Sequence, residues 1–146
     1  MSDPADLASI RYPAFISYSH RDEALARRLH RQLETYRIPR HLVGTITRTG
    51  AVPHRLVPIF RDRDELPASA SLTEAVQQAL DQSDALLVLC SPAARASMWV
   101  SAEIDYFRKH HLGRPIVAAL LEGEPAEAFP AALQSGSESN VAGEPG

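Results

Sequence analysis

Residues 85–90 read Ala-Leu-Leu-Val-Leu-Cys, six apolar residues without a break. An amphipathic helix or a half-exposed strand would interrupt such a run with polar residues, so this one has the pattern of a parallel strand covered on both faces. It is expected to lie at the centre of a sheet. Upstream, Tyr12 to Ser19 (YPAFISYS) is a short aromatic and β-branched run, and it hands over to a different period. Leu25, Leu29, Leu33 and Tyr36 then recur as one stripe of a helix. Ser19 and Asp22 have the spacing of a capping box, which places the helix start near His20. Arg37 to Arg55 has no sustained period and reads as a long surface connection. Leu56 to Phe60 (LVPIF) is expected to be an edge strand, because Pro58 has no N–H to give to a central ladder.

Arg61 to Ala70 reads as a loop. Ser71 and Glu74 form a second capping box ahead of Leu72, Val76, Ala79 and Leu80, the apolar face of another helix. Downstream of the central run, Met98 to His111 is helical, with Val100, Ile104 and Phe107 on one stripe and Trp99, Glu103 and Tyr106 on the next. Pro115 to Leu121 is a fourth strand. Strands alternating with helices mean right-handed crossovers and an open parallel α/β sheet with helices on both faces. With the 56–60 strand outside the first, the strand order is 2-1-3-4. Gln134 to Gly146 is Gly, Ser and acid with little to bury, and reads as a flexible tail or linker stub.

The chain has 146 residues, 45% hydrophobic and 23% charged, with net charge −3. That balance suits one globular domain. Cys90 is the sole cysteine, so no internal disulfide can form, and a reducing, cytoplasmic setting is expected. No apolar stretch approaches the ~20 residues that span a bilayer, and the first ten residues lack a signal core. A mildly acidic chain has no general attraction to a polyanion, so neither nucleic acid nor membrane is an expected partner. G-x-G-x-x-G, G-x-x-x-x-G-K and G-x-S-x-G are all absent, and no histidine pair has H-x-x-x-H spacing, so neither those nucleotide sites nor a metal site is expected.

In open α/β sheets ligands sit beyond the carboxyl ends of the strands, where the order reverses. Here that point lies between the first and third strands, flanked by 19–22 and 91–98. Trp99 and Glu103, four apart on one helix face, set a carboxylate beside an aromatic platform at the mouth of that crevice. Pattern alone also allows a plain solvated acid beside a half-buried tryptophan.

Four blocks taken together carry a family resemblance: Ala14 to His20 (AFISYSH), Phe60 to Pro67 (FRDRDELP), Ala85 to Pro92 (ALLVLCSP) and Trp99 to Glu103 (WVSAE). In order and spacing they resemble TIR (Toll/interleukin-1 receptor) domains of the bacterial, NAD-cleaving branch, over about residues 12 to 133. The resemblance implies a flavodoxin-like sheet and, in enzymatic members, cleavage of NAD⁺ as substrate, with no separate cofactor. The catalytic glutamate of those members, four residues after a tryptophan, maps onto Glu103. Tyr18, Ser19, His20, Arg61 and Trp99 are then the expected substrate-binding residues. Arg61, Asp62, Arg63 and Asp64 open the segment matching the loop that meets neighbouring protomers, so homo-oligomers with other TIR domains are expected. A fifth strand and last helix would follow 129–133 in the family. The polar run that stands there instead suggests the front of a longer protein bearing a sensor domain. The alternative function is a non-catalytic TIR scaffold acting through TIR–TIR binding, which the non-basic Ser19 and His20 would suit.

Overall fold

The computed structural model describes residues 10–47, 50–61 and 72–134. Its elements are β1 (Phe15–Ser17), a 3₁₀ turn (His20–Asp22), α1 (Glu23–Thr35), β2 (Ile46–Thr47), β3 (Gly50–Ala51), β4 (Phe60–Arg61) and α2 (Glu74–Asp81). There follow β5 (Leu86–Cys90), α3 (Pro92–Arg95), α4 (Met98–His110), β6 (Ile116–Leu120), α5 (Pro125–Ala128) and α6 (Ala131–Gln134). The main sheet runs β4-β1-β5-β6, all parallel. The strands expected second, first, third and fourth in sequence therefore lie side by side in that order. β2 and β3 form a separate antiparallel hairpin inside the 37–55 connection.

β5 is the central strand because its side chains have an apolar layer to enter on each side. Leu86, Val88 and Cys90 join Phe15, Val76, Leu80, Val100, Ile104 and Phe107 on the face covered by α2 and α4. Leu89, with Ile16, Tyr18, Ala26 and Ile59, fills the face under α1, and Leu87 packs against it. The period-2 alternation along β1 and β5 thus sorts residues between the two layers. Each fully buried leucine or phenylalanine contributes on the order of 2 kcal/mol.

Three expectations change in detail. The 56–60 strand shrinks to Phe60–Arg61: Pro58 has no donor, and the Ile59 N–H goes to Glu34 Oε2 on α1 at 2.7 Å instead of to a ladder. Ser19 caps a 3₁₀ turn by accepting from the Arg21 N–H, so the α-helix proper starts at Glu23, three residues later than the capping box suggests. α2 is capped by Thr73, whose hydroxyl accepts from the Val76 N–H at 3.2 Å. Ser71 and the tail beyond residue 134 lie outside the described residues. No described helix is long and apolar enough to cross a membrane.

Candidate active site at the carboxyl ends of the strands

The loop after β5 is shaped by two caps. Ser91 accepts from the Ala94 N–H at 3.0 Å to start α3, and Ser97 accepts from the Val100 N–H at 3.1 Å to start α4. Val100, Ile104 and Phe107 anchor α4 in the core. Glu103 stands three residues after Val100 and four before Phe107, so the anchored face carries it inward. It is 1% exposed, not an acid at the open mouth as its pattern suggests. Ser17, the last residue of β1 and also fully buried, donates its Oγ–H to Glu103 Oε1 at 2.6 Å. A carboxylate stripped of water needs such donors, and a hydrogen bond to a charged group is worth about 1.5–3 kcal/mol.

Ile16, Tyr18, His20, Trp99 and Glu103 line one small cleft. The space between them is about 170 Å³, with none of it wide enough for a water molecule, so the cleft is closed. The Tyr18 and His20 rings lie 5.6 Å apart on one wall. Trp99, half-buried, faces them from α4 and packs on the main core. Four of the residues singled out from sequence, Tyr18, His20, Trp99 and Glu103, therefore meet.

Ser19 serves as the cap of the 3₁₀ turn and is not among the lining residues. Arg61 is also elsewhere. It pairs in register with Ile16, so its side chain shares Ile16's face of the sheet, under α1, rather than that of Ser17 and Glu103. It is 8% exposed, and its Nε donates to His30 Nδ1 at 3.0 Å. That donation fixes the His30 tautomer, because Nδ1 must accept; Nε2 then carries the proton that reaches Glu34 Oε2 at 3.1 Å. Asp62, Arg63 and Asp64 lie outside the described residues.

Two groups escaped the sequence reading. Ser17 had only its strand position as a signal, sharing a face with Phe15. The Ser91 Oγ–H donates to Asp22 Oδ2 at 2.5 Å, tying the loop after β1 to the loop after β5 across the switch point. Cys90, one residue before this latch, is a poor nucleophile, since burial pushes its thiol up to about 11.

A family model described as TIR domain matches residues 14–139. The NAD(+) hydrolase ApTIR of Actinoplanes sp. is 36% identical over 116 residues, which is 79% of this chain and 15% of that protein. The chain thus spans under a sixth of the length of this relative. Among solved structures, the TIR domains of the activated Roq1 resistosome, which directly recognises the pathogen effector XopQ, superpose with a TM-score of 0.54 at 17% identity. The match covers 80% of this chain and 61% of that one, and it shows a shared fold.

Proposed function

Because the chain belongs to the TIR domain family, we propose that it is an NAD⁺ glycohydrolase with Glu103 as its catalytic residue. The observation that carries this reading is a buried carboxylate, held by Ser17 and flanked by Trp99, in a cleft where α/β sheets bind ligands. The NAD(+) hydrolase name of the Actinoplanes relative supports it.

The chemistry suits a single acid. O-glycosidases use two carboxyl groups because an alkoxide leaving group needs a proton. The nicotinamide of NAD⁺ leaves neutral: the bond from ribose C1′ to the pyridinium nitrogen breaks, and its electron pair cancels the ring's charge. The ribose is left as an oxocarbenium-like cation, which a fixed carboxylate stabilises in a site shielded from water. Water then adds at C1′ and loses a proton, giving ADP-ribose; attack by a group of the ADP-ribose itself would give a cyclic product. Ser17 holds one oxygen of Glu103 and fixes the carboxylate's orientation. Trp99 packs against a ring of the substrate, and Tyr18 and His20 form the opposite wall.

The closed cleft also gives the enzyme a resting state. NAD⁺ enters only if the Trp99 and His20 walls part, and assembly with further TIR domains supplies that opening. The biological role that follows is a cytoplasmic bacterial defence effector, depleting NAD⁺ when a defence signal clusters it. Incubating concentrated protein with NAD⁺ and following nicotinamide by chromatography tests the reading. Nicotinamide released in step with ADP-ribose or its cyclic form supports it, and no release under clustering conditions would leave the non-catalytic scaffold.

A further inference from the structure

A second cavity, of about 390 Å³, lies between the limbs of the 37–55 connection and is lined by Arg37, Ile38, Arg40, His54 and Arg55. This connection joins the end of α1 to the start of β4, so it sits at the amino ends of the parallel strands, opposite the Glu103 cleft. Residues 37–55 hold Arg37, Arg40, Arg48 and Arg55 with His41 and His54, and no acid at all, in a chain of net charge −3. Among the described residues Arg37, Arg40 and Arg55 have no carboxylate partner, and Glu34, the nearest acid before them in sequence, is taken by His30 and the Ile59 N–H.

The two limbs are held in place by the backbone. The Ile38 N–H donates to the His54 carbonyl at 2.9 Å, the Gly44 N–H to Val52 at 2.8 Å, and the Val52 N–H to Thr45 at 2.9 Å. Pro39 and Pro53 restrict a limb each. Three guanidinium groups are thus gathered around one hollow at the cost of mutual repulsion, which an anion would relieve. Arginine forks match phosphate oxygens two at a time, and Ile38 adds an apolar contact for a sugar or base. The volume falls in the range of small-ligand sites, below what a nucleic-acid track needs.

We propose that the groove formed by Arg37, Arg40, His54 and Arg55 binds a compact organic diphosphate of nucleoside-diphosphate size. The site is separate from the Glu103 cleft and does not depend on NAD⁺ cleavage. Calorimetric titration of the full chain with ADP and with inorganic pyrophosphate, at about 150 mM salt to screen loose attraction, tests it. Saturable binding of both at one site per chain is expected. Weakening of about 10-fold or more is expected in the Arg40→Ala/Arg55→Ala double variant, as the loss of two charge-assisted contacts implies. Arg28→Ala, which removes an exposed arginine of α1, and His20→Ala, in the other cleft, should bind as the wild type does. These arginines are exposed, so an unchanged melting temperature confirms that the double variant is folded. No saturation by either probe, or binding lost in His20→Ala but kept in the double variant, overturns the proposal. So does tighter binding of a single-stranded oligonucleotide than of ADP through the same arginines.

Discussion

The bond from Ser17 to Glu103 joins residues 86 positions apart and is the polar contact on which the proposed chemistry turns. Ser17→Ala removes the donor that holds this oxygen of Glu103. The expected outcome is a fall in kcat of about 10-fold with little change in KM, because the contact matters for the transition state rather than for holding substrate. Ser17→Thr, which keeps the hydroxyl, should recover most of the rate; steady-state kinetics of the two variants checks this. Glu103→Gln retains an oxygen that can accept from Ser17, so the variant should fold. Glu103→Ala instead strands a buried hydroxyl and should lose about 1–3 kcal/mol in denaturant titration. Cys90 offers a pH test. Its thiol is raised from 9.0 to about 11 by burial, so the folded state holds that proton more tightly than the unfolded chain does. Its contribution is complete below pH 9 and is lost as pH rises towards 11, so unfolding free energy should fall across that window. Cys90→Ala should flatten that slope, and thiol alkylation of the wild type at pH 8 should require unfolding.

At the scale of elements, the latch between the 3₁₀ turn and α3 carries the next expectation. Ser91→Ala loses both the cap of α3 and the bond to Asp22. Stability should drop by about 1–2 kcal/mol by denaturant titration, as for other cap losses. Elements were legible in the sequence wherever burial imposed a period. The 85–90 run and the Val100-Ile104-Phe107 stripe mark positions that the core must fill, whereas of the α1 stripe only Leu29 and Leu33 pack on the core and Leu25 and Tyr36 are exposed. The β2–β3 hairpin escaped because two exposed residues per strand leave no alternation to read. α3, α5 and α6 escaped because one turn is too short to show a stripe. The burial of Glu103 escaped for another reason: a lone acid beside an apolar stripe reads as solvated until its distant partner is seen. Arg61 read as part of a charged surface run, yet the register of β4 turns it under α1, towards a histidine that sequence proximity does not suggest.

For the molecule as a whole, the closed cleft sets the expected kinetics. Specific activity should rise with protein concentration, or when the domain is fused to a clustering module that raises local concentration to about the mM range. Arg63→Glu should blunt that rise if the segment after β4 meets a neighbour. Arg61→Glu is unsuitable for the same test, since it would bury a carboxylate where a guanidinium now meets His30 and would disturb folding. Activity that stays flat across a dilution series, and is the same in Arg63→Glu, would show a monomer already complete. The most direct measurement of the central claim compares nicotinamide release from NAD⁺ by the wild type and by Glu103→Gln, both folded and both at the concentration of greatest activity. Loss of the carboxylate charge should lower turnover by about 10²-fold or more. A variant that releases nicotinamide at close to the wild-type rate would contradict Glu103 as the catalytic residue.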